Sequence, residues 1–233
     1  MQALFETVRV VGGQPFALDL HLARLERSAA ATGLATLDVA DVRRRLIDVL
    51  ARDPLPLGRV RVTAAGGDLA ITPAPTPPPA ESIAVVTAPW RLNEHGPLVG
   101  HKTTAYADNV VALRHAVARG AGECVLANAA GNVCEGTGAN VFYVVDGELR
   151  TPTLASGCLP GVTRHLVLDW YGAREVDEPL EVCASAEEVF LTSSIRTVQP
   201  VHRWDDRDLP VPGPVTRRVL ETWRTREHEM IRG

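Results

Sequence analysis

Gly100-His101-Lys102-Thr103-Thr104-Ala105-Tyr106 holds the single lysine of a 233-residue chain; every other member of its 24 Lys and Arg residues is arginine. A gene rich in G and C favours arginine wherever either cation would serve, so a retained lysine points to lysine chemistry. A guanidinium stays protonated, whereas a lysine amine can be deprotonated by its surroundings and attack a carbonyl. The competing reading is a chance surface survivor, and the rest of the chain must decide.

Both flanks of this stretch mark a junction. Upstream, from Trp90 to His101, periodicity fades and Asn93-Glu94-His95-Gly96-Pro97 is loop chemistry. Downstream, Ala107 to Arg119 reads as a helix ended by Gly120. The expected organisation is therefore a small α+β domain over 1–92, an interdomain loop over 93–101 and a larger mixed α/β domain over 102–233. Clefts often form at such junctions.

In the first segment, Leu4 to Val11 alternates as a strand and Gly12-Gly13 turns it toward Pro15 to Leu18. Asp19 is expected to cap a helix running to about Gly33, and Asp38 a second helix with Val42, Leu46, Val49 and Leu50 inward. Gly58 to Ala65 alternates again and turns at Gly66-Gly67-Asp68. The proline run from Pro73 to Pro79 suits an edge or a stiff loop, because proline cannot donate to a ladder. Ser82 to Thr87 reads as a further strand.

In the second segment, Glu123 to Ala127 reads as a strand and Val133-Cys134-Glu135 as a short extended piece. Asn140 to Val145 and Glu148 to Thr151 form a hairpin about Asp146-Gly147. Gly161-Val162-Thr163 opens a helix to about Trp170, Ala186 to Thr192 is a strand, and Pro214 to Glu229 is a closing helix.

Composition is that of an ordinary globular protein, 45% hydrophobic and 22% charged. A net charge of −4 gives no nucleic-acid surface and no basic membrane patch. Cys124, Cys134, Cys158 and Cys183 have no Cys-x-x-Cys spacing and apolar neighbours, which suits reduced core thiols in a cytoplasmic protein rather than disulfides or a metal site. Neither a signal peptide nor a membrane span is expected.

Four features converge on one chemistry. Lys102 stands at the junction. Leu159-Pro160-Gly161-Val162-Thr163-Arg164 offers backbone N–H groups at a helix start, with the Thr163 hydroxyl as an extra donor; the motif is equally an ordinary Pro/Gly turn. Thr192-Ser193-Ser194 places hydroxyls at a strand end, where they bind phosphate or cap a turn. Glu135 lies in Cys134-Glu135-Gly136-Thr137-Gly138-Ala139-Asn140, an acid among small residues that lets a flat ring approach. A lysine, a phosphate cup and an inward acid match the needs of pyridoxal 5′-phosphate: an amine for its aldehyde, donors for its phosphate and a carboxylate for its ring nitrogen.

Motif order carries a resemblance. Phe5-Glu6-Thr7-Val8-Arg9-Val10, His21-Leu22-Ala23-Arg24-Leu25, Lys102 with Tyr106, Glu135 to Phe142, Leu159 to Arg164, and Glu188 to Leu191 through Pro200-Val201 run in the order found in the class IV aminotransferases. These are the fold-type-IV pyridoxal-phosphate enzymes, which include branched-chain and D-amino-acid aminotransferases and 4-amino-4-deoxychorismate lyases. The resemblance implies a small α+β domain with a larger pseudo-barrel domain, and a homodimer. It makes Lys102 the Schiff-base lysine and general base, and Glu135 the partner of the pyridine nitrogen. Arg24, Val162, Thr163 and Ser194 become the phosphate ligands, and Tyr106 the contact of the phenolic oxygen. Arg61, on an alternating strand, becomes a candidate anchor for the substrate carboxylate. Family members usually carry a longer segment ahead of the Phe-Glu-Thr motif, so the small domain is expected to be N-terminally shortened and the pocket altered.

Three functions remain open at this level. An aminotransferase moves an amino group between an amino acid and a 2-oxo acid; the Glu-Gly-x-Gly-x-Asn context resembles the branched-chain enzymes. A lyase releases pyruvate and 4-aminobenzoate with the same lysine, although Ala105 stands where lyases usually have Asn. A cofactor-binding relic without turnover is the third.

Overall fold

The computed structural model describes residues 2–232. They form two compact units: residues up to Pro78 with His101–Ala105 and the residues from Glu227, and Pro79–Gly100 with Tyr106–Arg226.

The first unit contains β1 (Leu4–Val11), β2 (Gln14–Pro15), α1 (Leu18–Thr32), α2 (Val39–Arg52), β3 (Leu57–Ala65) and β4 (Asp68–Pro75). The strands pair in the order β2-β1-β3-β4, antiparallel throughout. The sequence alternation predicts one buried face, and the structure has it. Leu4, Val8 and Val10 of β1 and Val60, Val62 and Ala64 of β3 pack with Leu22 and Leu25 of α1 and Val42, Leu46 and Leu50 of α2. Asp38 caps α2 as expected, its Oδ1 accepting from the Ala40 and Asp41 N–H groups at 2.9 and 3.3 Å. Asp19 does not cap α1. That helix starts two residues earlier, at Leu18, behind Ala17 in a left-handed conformation with φ 52°, and Ala17 makes no side-chain cap. Asp19 instead lies in the first turn, where its charge favours the helix dipole, and pairs with Arg43. The proline run begins in β4, the edge strand.

The second unit begins with β5 (Ile83–Leu92), α3 (Ala107–Val117), β6 (Glu123–Asn128), β7 (Val133–Gly136), β8 (Asn140–Val145), β9 (Glu148–Thr151) and α4 (Val162–Trp170). It continues through β10 (Arg174–Glu175), α5 (Leu180–Ala184), β11 (Glu188–Ser193), β12 (Thr197–Trp204), β13 (Arg207–Asp208) and α6 (Pro214–Arg232), of which the residues to Arg226 belong here. The sheet runs β10-β9-β8-β11-β12-β5-β6-β7, with β13 beside β12. It is mixed: β5 pairs parallel with both β6 and β12, while β8, β11 and β12 pair antiparallel. A parallel neighbour needs a crossover, and α3 supplies the one between β5 and β6. Each sheet face has its own core. Val125, Val141, Tyr143, Val189, Leu191 and Trp204 fill one; Ala84, Val86, Cys124 and Leu126 meet Ala112 and Ala116 of α3 in the other. Asp146 and Gly147 join β8 to β9 with φ of 53° and 74°, the backbone that a tight hairpin turn demands. Among the described residues no helix is long and apolar enough to cross a membrane.

Candidate active site

Backbone pairing holds Lys102 in the first unit. Its carbonyl accepts from the Phe5 N–H at 2.9 Å, and the Thr104 N–H donates to the Ala3 carbonyl at 2.8 Å. An antiparallel bridge between Leu4 and Thr103 completes a short extension along β1. The lysine is thus on a strand-like support rather than a free loop, which fixes where its side chain starts. Its Nζ lies 4.6 Å from the centroid of the Phe5 ring. Arg61, opposite Thr7 in the β1–β3 register, brings its guanidinium carbon to 3.9 Å from the same ring. Both cations are within cation–π range of one aromatic face or edge. The one amine side chain of the chain and the Arg61 guanidinium thus both lie against Phe5.

Arg24 lies in this unit too, with partners that the sequence reading gave no role. Glu6 is on the buried face of β1, at 1% exposure, between Leu4 and Val8. Its Oε1 accepts from Arg24 Nε at 2.8 Å, and its Oε2 from Arg24 Nη2 at 2.6 Å. His21 Nδ1 lies 2.8 Å from the same Oε2. His21 and Arg24 are one helical turn apart on α1, so both reach one carboxylate. Burial is the largest influence on the Glu6 carboxyl and would raise its pKa. The Arg24 charge and the hydrogen bonds from His21 and Arg24 together outweigh it and hold the group at about 2. Burial also dominates at His21 and lowers its pKa against the pull of Glu6. The imidazole is therefore neutral at pH 7, with Nδ1–H donating to the carboxylate. One signal could have exposed the triad: an acid on the apolar side of an alternating strand must have a buried partner.

In the second unit, Glu135 sits on β7 and its Oε2 accepts from the Leu159 N–H at 2.9 Å. Leu159 begins the turn into α4. That helix starts at Val162 behind Gly161, an N-cap residue with no side chain to close the first turn. Val162 and Thr163, both buried, supply its first turn. An uncapped helix start presents N–H donors and the positive end of the helix dipole, the chemistry that a phosphate needs. Ser194 is half-buried in the turn between β11 and β12, and Tyr106 is the half-buried residue that precedes α3. The expected site residues thus fall into two sets: Lys102, Arg24 and Arg61 in the first unit; Tyr106, Glu135, Val162, Thr163 and Ser194 in the second.

A second buried carboxylate braces the loop after Glu135. Glu123, 1% exposed, accepts from the N–H groups of Thr137 at 2.9 Å and Cys124 at 3.1 Å, and from the Thr137 hydroxyl. Arg196, in the same turn as Ser194, pairs with its other oxygen. Gly136 packs closely beside it: a Cβ there would lie 3.2 Å from Glu123 Cγ and from the Ala139 carbonyl oxygen, a tight contact. The four cysteines are buried free thiols, as their apolar neighbours predict.

Known proteins share the sequence and the fold. The family model for amino-transferase class IV matches residues 3–204. The chain is 30% identical to the "Probable branched-chain-amino-acid aminotransferase" of Thermotoga maritima, over 95% of its own length and 85% of that protein. It is 27% identical to the bifunctional aminodeoxychorismate lyase / D-amino acid transaminase of Mycobacterium tuberculosis, over 89% of this chain and 83% of that one. The crystal structure of a branched-chain aminotransferase from Thermoproteus uzoniensis with norvaline superposes with a TM-score of 0.92 at 26% identity, covering 98% of this chain and 86% of the other. The mixed α/β fold with a smaller and a larger sheet is thus that of the fold-type-IV enzymes, a pyridoxal-phosphate-dependent group. With a family model matched over most of its length, the chain belongs to the class IV aminotransferase family.

Proposed function

We propose that the chain is a pyridoxal-phosphate-dependent aminotransferase that moves an amino group between an amino acid with an aliphatic side chain and a 2-oxo acid. The observation that carries this reading is the backbone clasp that holds the single lysine beside Phe5 and Arg61, in a chain whose relatives over nearly its whole length are named aminotransferases. The residues fit the cofactor: α4 begins without a side-chain cap, and Glu135 presents a half-buried carboxylate tied to the same turn.

Lys102 would carry the cofactor on its amine, with Glu135 at the ring nitrogen and Tyr106 at the phenolic oxygen. Arg24, Ser194 and the Val162 and Thr163 N–H groups would hold the phosphate. When bound, the group supplies an electron sink for charge that develops at the substrate Cα. Glu135 keeps a proton on the ring nitrogen, which that sink requires. Once released, Lys102 Nζ would take the proton from the substrate Cα and return it to the carbon on the other side of the substrate nitrogen, general acid–base work that suits an amine. Arg61 holds the substrate carboxylate so that the Cα–H faces the amine. The working form is a homodimer.

A second reading has one observation in its favour: the Mycobacterium tuberculosis relative is named for both lyase and transaminase activity. Purified protein given glutamate with branched 2-oxo acids should form 2-oxoglutarate. Given aminodeoxychorismate, it should release no 4-aminobenzoate; the opposite pattern selects the lyase. An absorbance band near about 410 nm should accompany cofactor binding and vanish in Lys102→Ala. A band that survives that substitution refutes the assignment of Lys102.

A further inference from the structure

Between Glu135 and α4 lies one residue, Leu159, held at both its N–H and its carbonyl. The Leu159 N–H donates to Glu135 Oε2 at 2.9 Å, and the Leu159 carbonyl accepts from Asn140 Nδ2 at 2.8 Å and from the Gly161 N–H at 2.8 Å. Asn140 opens β8 and is 5% exposed. Its amide occupies the space that a side chain at position 161 would need: a Cβ on Gly161 would stand 2.0 Å from Asn140 Oδ1. The register of β8 against β11, Asn140 opposite Thr192, fixes this amide in the sheet. Four parts are therefore linked in series: the sheet, the Asn140 amide, Leu159 and Gly161, the residue ahead of α4. The Glu135 carboxylate is hydrogen-bonded to the same residue, at the Leu159 N–H.

We propose that Asn140 is a positioning residue that sets the spacing between the Glu135 carboxylate and the start of α4, so that one rigid ligand, an aromatic nitrogen heterocycle bearing a phosphate ester, is held at both ends at once. This rests on the reading of Glu135 and the α4 start as the two ends of the cofactor site. Two anchor points reinforce each other only when their separation matches the ligand, and placements must hold to a fraction of an ångström for that gain. Asn140 acts through Leu159. Its removal should spoil the match between the anchors while leaving each anchor intact.

The test compares three probes on the full-length protein: pyridoxal phosphate, pyridoxal without the phosphate, and inorganic phosphate. Binding is followed by visible absorbance for the first two and by calorimetry for the third. Asn140→Ala should weaken pyridoxal phosphate by about tenfold or more, with pyridoxal and phosphate each within about twofold of the parent. Gly161→Ala pushes on the same amide from the other side and should give the same pattern, which covers the case that Asn140→Ala fails to fold. Parallel loss of all three affinities, or unchanged binding of pyridoxal phosphate, overturns the positioning role. Glu135→Gln separates the two levels: it should weaken pyridoxal and pyridoxal phosphate alike. If it weakens neither, the underlying reading of Glu135 falls, whatever Asn140→Ala does.

Discussion

Replacing Glu6 with glutamine removes one charge from a buried cluster and leaves its shape nearly unchanged. The carboxylate is 1% exposed and bonded to Arg24 at 2.6 and 2.8 Å and to His21 at 2.8 Å. A carboxyl held at about 2 in the fold rather than at 4.5 contributes about 3 kcal/mol at neutral pH. Breaking a buried ion pair costs about 3–5 kcal/mol, because the surviving charge is left uncompensated. The two routes agree, so Glu6→Gln should lose about 3 kcal/mol at pH 7. The pH dependence has a definite sign. A lowered folded-state pKa gives stability that is complete above 4.5 and lost as the pH falls through about 2. His21, also lowered, binds its proton less readily in the folded state than in the unfolded one, so it too costs stability as the pH falls below 6.5. Urea denaturation followed by far-UV circular dichroism, from pH 7 to pH 3, measures both. The difference between parent and Glu6→Gln should be widest near pH 7 and shrink between about pH 5 and the acid limit. A gap below about 1 kcal/mol at pH 7, or a gap that stays constant with pH, would refute the argument that this carboxylate is clamped as an ion.

Three other outcomes follow from the same structure. Leu46→Ala removes a fully buried side chain from the core under the small sheet and should cost about 2–5 kcal/mol in the same denaturation assay. Asp38→Ala deletes the cap of α2, and calorimetry should register a loss of about 1 kcal/mol. The four cysteines should ignore a thiol-specific disulfide reagent in the native protein and all react in denaturant. Burial pushes Cys158 up to about 11 and Cys124 to about 12, which removes the reactive thiolate at neutral pH.

The candidate site was legible in proportion to how local its parts are. Lys102 announced itself by composition and Thr163 by the Pro-Gly start of a helix. The β8–β9 hairpin was written in Asp146-Gly147, because a turn that needs positive φ draws on few residues. Asp38 was readable as a cap for the same reason, while Asp19 misled: Ala17 takes the left-handed position ahead of α1, and a residue pattern does not show which backbone angle wins. The partners of Glu6, by contrast, lie 15 and 18 positions away on α1. Nothing in the spacing names them until β1 and α1 share a face. Arg196 and Glu123 are 73 positions apart and meet only through the packing of the large sheet.

By itself, the sequence determined what depends on neighbours along the chain: the alternation that buries one face of β1 and β3, the helix start at Val162, the tight turn at Asp146-Gly147 and the identity of the one amine. These follow from backbone sterics and from hydrophobic periods that a few residues set. Only the tertiary structure decided that β5 lies parallel between β6 and β12, that residues 101–105 run along β1, that Glu6 is neutralised by α1, and that Asn140 and Glu135 grip one residue, Leu159, from its two ends. Those pairings are chosen by burial. A carboxylate or amide removed from water must find a partner wherever the fold brings one, and distance along the chain does not enter that choice.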